Sequence, residues 1–173
     1  MNEEQRKQQF LEAMSRGATF ITVLTTNGDG GRFGVTVSSM TSVSADGFAP
    51  TILACVHHKS PFAAAVLVNK NFCANILHEG QHPISDLFSG RHKTGHAERF
   101  DGLAWTKSAN GQPSITGATA NFDCVLRTSV MWETHHVLIA HVLDVTLNED
   151  PRALLYGQRA YRKAVGLDPQ VGN

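Results

Sequence analysis

Two long apolar runs separated by three residues set the strongest limit on what this chain can fold into. Ala118 to Met131 and His135 to Leu147 each read as an extended strand, and the tight connection Trp132-Glu133-Thr134 makes them a hairpin. In the second run both alternating sets of side chains are apolar: Val137, Ile139, Leu143, Val145 and Leu147 on one face, Leu138, Ala140 and Val142 on the other. A strand with one face in water would place polar residues at every second position, so both faces of this one need cover. A barrel interior supplies one cover, and a helix or a second subunit supplies the other.

The remaining segments agree with a mainly β, antiparallel, Greek-key-like barrel with a few helices. Asn2 caps a helix running to about Met14, with Glu3 and Glu4 at its positive end and Gly17 as its stop. Only Phe10, Leu11 and Met14 are large and apolar in its last turns, which places it on the surface or against a partner subunit. Phe20 to Thr26 reads as a strand, Asn27 to Gly31 as a hairpin loop, Arg32 to Ser39 as the returning strand, and Thr51 to Val56 as a buried strand. Ser60-Pro61 opens a helix with the Ser60 hydroxyl as its cap, and Phe72 to Leu77 returns as a strand. His82 to Gly90 is a short helix closed by glycine, and irregular chain follows to Gly117. Residues 1–173 are expected to form a single domain, with a helix in 1–17 and the barrel core in 18–165; 42% hydrophobic content is enough for one core.

Fifteen basic and fifteen acidic residues cancel, so no net field points to nucleic acid or an anionic membrane. Cys55, Cys73 and Cys124 are widely separated in apolar surroundings and form neither a disulfide framework nor a metal-ligand spacing. The first residues are charged and lack an apolar signal core, and no stretch reaches the ~18 apolar residues of a membrane span. The expected location is the cytoplasm.

Several motifs carry candidate chemistry. Gly34-Val35-Thr36-Val37-Ser38-Ser39-Met40-Thr41-Ser42-Val43-Ser44 is dense in small hydroxyl residues, and reads either as an edge strand with a Ser-rich turn or as the lining of a site for a polar, planar heterocycle. Gly28-x-Gly30-Gly31-x-x-Gly34 has the glycines of a dinucleotide fingerprint, but a strand follows where that motif needs a helix, so a hairpin turn accounts for it. His92 and His96 have a four-residue spacing without the intervening glutamate of a zinc protease helix, and no catalytic metal is expected there. The helix start at Ser60, beside Lys59, is either a plain cap or a phosphate site, and Ser89-Gly90-Arg91 offers a second cationic contact. His135 and His136 begin the last long strand on opposite faces, so one can look into a cleft.

Taken in order, these segments resemble the short-chain flavin reductase family, FMN-binding split β-barrels that supply reduced flavin in two-component monooxygenases. The resemblance runs from about Met14 to Val165. It rests on Gly34 to Ser44, on Cys55-Val56-His57-His58-Lys59-Ser60-Pro61, on Phe72 to Leu77, on Phe88-Ser89-Gly90-Arg91, on Arg99-Phe100 and on the strand from His135. It implies that Thr36, Val37, Ser38 and Ser39 line the flavin ring and ribityl chain, that Cys55, Val56 and His57 pass beside the ring, and that Ser60 with Ser89, Gly90 and Arg91 holds the phosphate. It implies that His135 is the catalytic-site histidine where nicotinamide stacks, with Tyr161-Arg162 near the same cleft, and that the protein is a homodimer. The family's usual Gly-Asp before the histidine is Glu133-Thr134 here, His57 stands at a common Asn, and Lys59 at a common Ser.

The implied activity is hydride transfer from NADH or NADPH to FMN or FAD. His135 positions the nicotinamide, and an imidazole is also suited to proton donation near neutral pH. The reduced flavin goes to a separate oxygenase or to another acceptor, including the cobalt of a corrinoid. Two other classes remain: a non-catalytic flavin- or heme-binding split barrel, and a histidine-rich metal-binding module.

Overall fold

The computed structural model describes residues 1–90, 95 and 98–167. In chain order the elements are α1 (Glu3–Ser15), β1 (Thr19–Phe20), β2 (Thr22–Thr26), β3 (Phe33–Val37), β4 (Thr41–Ser44), β5 (Thr51–His57), α2 (Pro61–Asn69), β6 (Asn71–Ile76), α3 (His82–Phe88), β7 (Trp105–Lys107), β8 (Pro113–Ile115), β9 (Ala120–Trp132), β10 (His135–Leu147), β11 (Leu154–Gly157) and β12 (Ala160–Lys163). Strands dominate, as expected, and every pairing between them is antiparallel.

Seven strands form one sheet in the order β3-β2-β6-β9-β10-β5-β4. Its two edge strands, β3 and β4, are neighbours in sequence. Laid flat, six inter-strand spacings of ~4.8 Å would hold these edges about 29 Å apart. The four residue steps from Val37 to Thr41 reach only about 14 Å, so the sheet has to curl until its edges approach. The seam is completed by a side chain. The Ser39 hydroxyl donates to the Cys55 carbonyl at 3.0 Å and accepts from the Cys55 N–H at 2.9 Å, standing in for a missing ladder rung.

Inside the curl, Leu138, Ala140 and Val142 of β10 meet Leu24, Phe72 and Cys124, and Phe62, Ala63 and Val66 of α2 close one end. A second core lies behind β2, where Val23 packs with Ile21, Leu77, Phe88, Phe100, Ile115 and Leu154. This double burial explains why all five residues of β2 are inaccessible. Asn75 joins the two layers: its buried amide donates to the Val23 carbonyl (2.8 Å) and accepts from Ile115 N–H (2.8 Å) and Asn121 Nδ2 (2.7 Å).

The β9–β10 hairpin forms as its pattern requires, with Glu133 at φ +49° in the turn. Its inward set is buried, but Leu143 (51% exposed) and Leu147 (74%) on the outer set are bare in the single chain. Register slips beside Leu143, between Val142 and Asp144.

Four expectations need correction. The Phe20–Thr26 run breaks at Ile21, because Phe20 pairs with β11 in a separate three-stranded sheet while Thr22 onward joins the barrel. The Arg32–Ser39 strand ends at Val37, since the next residues cross the barrel seam. The supposedly irregular stretch before Gly117 contains the β7–β8 hairpin and a turn of 3-10 helix at Glu98–Phe100. Ser60 sits at the N-cap of α2, yet its hydroxyl makes no capping hydrogen bond.

Candidate functional site

Barrel closure creates a cleft of about 570 Å³ at the seam. One wall is β3 from Gly34 to Val37 and the crossing residues Ser38 and Ser39; the facing wall is the end of β5, Cys55 to His57, followed by Lys59 to Pro61. Phe88, Ser89 and Gly90 close it from the end of α3, Arg99 contributes from the 3-10 turn, and His135 stands at the mouth. Gly34 is required for this packing, because a Cβ there would lie 2.6 Å from the Phe88 ring. The glycines upstream serve a different contact. Gly30 N–H donates to Asn69 Oδ1 at 2.7 Å, and a Cβ on Gly30 would sit 2.8 Å from the Ala65 carbonyl, so the loop is a turn pressed onto α2.

His57 and His135 are register partners across β5 and β10, their rings edge to face at 5.1 Å. His57 Nδ1 accepts from the Lys59 backbone N–H (3.1 Å), which leaves Nε2 as the proton-bearing nitrogen of the neutral ring. His58 stacks on His57 at 4.7 Å and donates from Nδ1 to the Thr134 carbonyl at 3.0 Å, pinning the start of β10. Desolvation first, then the electrostatic influence of His58, His135 and Lys59, lowers the His57 pKa from its ordinary value. Among the described residues the lining carries Lys59, Arg99, His57 and His135 and no carboxylate. A second cleft of about 510 Å³ beside β7 and β8 includes Asp123, Asp144 and Glu149. The second cleft also holds Lys107, and of the two the first is the better match for an anion.

The structure therefore brings Thr36, Val37, Ser38, Ser39, Cys55, Val56, His57, Ser60, Ser89, Gly90 and His135 to one lining. Their hydroxyls are not equally free. Thr36 donates to the Ser85 carbonyl (2.7 Å), Ser39 is bound to Cys55, and Ser89 donates to the Asp86 carbonyl (2.7 Å). Tyr161 lines a small adjoining cavity that shares Thr36, Val37, Ser38 and Ser89 with this cleft: β12 pairs with β11, and the phenol donates to Asp86 (2.7 Å) and accepts from Ser85 (2.9 Å). Arg91, His92 and His96 lie outside the described residues. Among the described residues no group of three or more His, Cys, Asp or Glu is arranged to hold a metal ion.

The flavin reductase like domain matches residues 14–164. This chain belongs to that family. The FMN reductase (NADH) RutF of Ancylobacter novellus is 37% identical over 160 residues, covering 92% of this chain and 86% of the relative. Among solved structures, a putative flavin reductase from Haemophilus somnus superposes with a TM-score of 0.84 at 29% identity, over 91% of this chain and 98% of that one. BorF, the flavin reductase component of a bacterial two-component tryptophan halogenase, gives 0.83 at 28% identity, over 91% and 97%. The split-barrel expectation stands with these neighbours.

Within this flavin reductase-like domain, sequence reasoning passed over Arg99 as a site residue. It is 6% exposed, yet it reaches the cleft lining from a segment distant in sequence. The available signal was a charged residue directly before an aromatic one, Arg99-Phe100, in an otherwise polar stretch.

Proposed function

We propose that this chain is an NADH-dependent flavin reductase that holds FMN, or the FMN half of FAD, in the seam cleft. The observation that carries the reading is the meeting in one cleft, without a carboxylate among the described residues, of the uncapped start of α2, the Ser38–Ser39 crossing and the histidine pair His57–His135. A volume of about 570 Å³ lies within the ~300–1,000 Å³ of cofactor sites. The Ser60 hydroxyl, free of a cap bond, and the first N–H groups of α2 suit a phosphate.

When bound, the flavin supplies the redox chemistry by accepting a hydride from the reduced nicotinamide. The chain's residues bind and orient. Thr36 to Ser39 and Cys55 to His57 offer backbone groups to the ring edge, and Ser60, Ser89 and Gly90 receive the phosphate. Arg91 joins them in this reading. His135 positions the nicotinamide at the mouth, while Lys59 and the α2 terminus add positive potential that favours the reduced, more anionic state of the ligand. The reduced flavin then leaves for a separate oxygenase component; the relatives named above give no support to a corrinoid acceptor. A second copy of the chain covers Val130, Met131, Trp132, Leu143, Val145 and Leu147, all at least 43% exposed, which makes the working unit a homodimer. No described helix is long and apolar enough to cross a membrane.

The test is anaerobic mixing of the purified protein with FMN and NADH. Bleaching of the flavin absorbance is expected, and its absence with both FMN and FAD overturns the proposal. His135→Ala is expected to raise the Michaelis constant for NADH and slow hydride transfer. If neither changes, His135 has another role.

A further inference from the structure

Three imidazoles meet where the connection from β5 to α2 touches the start of β10, and each has its Nδ1 engaged. His58 directs both its backbone N–H (2.9 Å) and its Nδ1 (3.0 Å) to the Thr134 carbonyl, which ties the hairpin to the connection. The Thr134 hydroxyl in turn bonds His135 Nδ1 at 3.0 Å. His57 accepts the Lys59 backbone N–H at Nδ1 (3.1 Å), stacks on His58 at 4.7 Å with 25° between the ring planes, and meets His135 at 5.1 Å and 77°. The His57 ring is thus fixed between a stacked neighbour and a backbone donor, and His135 rests against it. In the flavin reading the Cys55–His57 segment meets the ring edge through its backbone, so the His57 imidazole is left for another role.

Two imidazoles at this distance repel when both are charged, so the pair titrates as one unit. The surrounding groups strengthen that coupling. His58 and Lys59 lie on the same connection, Arg99 lines the cleft from the 3-10 turn, and the first turn of α2 adds its positive end. Cys55 is the remaining titratable side chain of the lining; β3, α2 and α3 bring none among the described residues. With no carboxylate among these groups to offset it, a second proton on the pair is opposed by each of the cations.

The two rings do not compete equally for the first proton. An imidazole is protonated on its free lone pair, and His57 Nδ1 already accepts from Lys59 N–H, so charging His57 breaks that bond. Desolvation, followed by the influence of His58, His135 and Lys59, lowers the His57 pKa in the same direction. His135 Nδ1 faces a hydroxyl, which can turn to donate or accept, so this ring becomes charged or neutral with its bond kept.

We infer that His57 is a positioning residue for His135: its ring holds the His135 ring at the cleft mouth and leaves to His135 the one proton that the pair carries. This rests on the seam cleft being the place where nicotinamide meets the flavin. His135 is then the ring that presents a removable charge to the ligand, and His57 is the neutral ring that fixes where that charge stands.

Imidazole nitrogen NMR of the flavin-free chain, followed from about pH 8 to about pH 5, tests the pairing on the wild type, His57→Phe, His57→Ala and His135→Gln. In the wild type His57 is expected to titrate at lower pH than His135 and to carry its proton on Nε2 while neutral. His135→Gln is expected to raise the His57 midpoint, and His57→Phe to raise that of His135. Rapid mixing with NADH and FMN reads the positioning: His57→Ala is expected to slow hydride transfer about 10-fold, with a much smaller change in FMN affinity, and His57→Phe, which keeps a ring against His135, to recover most of that loss. Independent titration of the two rings, a His57 midpoint above that of His135, or equal slowing in His57→Ala and His57→Phe overturns the assignment. Should His57→Ala fail to fold, the wild-type and His135→Gln titrations decide it. Coupled titration in a chain that leaves FMN unreduced by NADH supports the pair and overturns the flavin reading instead, so the two failures are told apart.

Discussion

Ser39 provides a sharp separation between a structural and a ligand-binding role. Its hydroxyl bridges the Cys55 N–H and carbonyl at 2.9 and 3.0 Å across the seam where β3 leaves one sheet edge and β4 begins at the other. Ser39→Ala deletes both bonds and leaves two backbone groups of β5 without a partner. A buried unsatisfied group costs ~1–3 kcal/mol, but Ser39 and Cys55 are both half-buried, so water recovers part of the loss and roughly 1–2 kcal/mol in total is expected. For a chain of this length each kcal/mol lowers the melting temperature by ~2–4 °C, giving a drop of about 2–8 °C in a circular dichroism melt of the flavin-free protein. Ser39→Thr keeps the hydroxyl and should recover most of it. Flavin affinity should fall by less than tenfold, because the Ser39 oxygen is already engaged and the segment meets the ligand through its backbone. An unchanged melting temperature in Ser39→Ala, together with a loss of FMN affinity of tenfold or more, refutes the seam argument and makes Ser39 a direct flavin ligand.

Two further outcomes follow from the same cleft. Gly34→Val puts a branched side chain where even a Cβ would be 2.6 Å from Phe88, so a loss of about 1–3 kcal/mol in denaturant stability is expected, relieved in Gly34→Ala combined with Phe88→Leu. The His57 pKa is lowered in the folded state, so the unfolded chain binds more protons once the pH falls below the ordinary imidazole value of about 6.5. Stability is therefore unaffected by this group above that pH and falls progressively as pH drops toward the lowered value; a pH series of melts from 8 to 5 should show His57→Asn with a shallower decline than the wild type.

What the sequence revealed follows from where each signal resides. The β9–β10 hairpin was legible because two strand-length runs rich in apolar and β-branched residues flank a short turn. The break at Ile21 was not, since no Gly or Pro marks it: it exists only because Ile21 N–H bonds the Leu154 carbonyl and the Ile21 carbonyl accepts from Leu77, residues far away in sequence. The β11–β12 hairpin was missed for a related reason. Its turn residues Gln158 and Arg159 both take positive φ, +51° and +59°, a conformation normally announced by Asn-Gly. In the cleft, residue types near Thr36, Cys55 and Ser60 were readable as a set, whereas the pairing of His57 with His135 is a matter of strand register and the approach of Arg99 a matter of tertiary packing.

The closure of the barrel and the formation of the cleft are one event. The strand order places β3 and β4 at opposite edges of the sheet, and the short link between them forces Ser38 and Ser39 against the end of β5. That approach aligns Cys55 to His57 with His135 through the β5–β10 register. A ligand in the cleft touches both sides of the seam, the β3 side through Thr36 to Ser39 and the β5 side through Cys55 to Ser60. Binding that is confined to the closed barrel adds its own free energy to closure, by the logarithm of ligand concentration over its dissociation constant. The Ser- and Thr-rich stretch from Thr36 to Ser44 therefore serves the fold and the site with the same residues: short side chains let the chain cross between sheet edges, and the crossing exposes the backbone to the cleft.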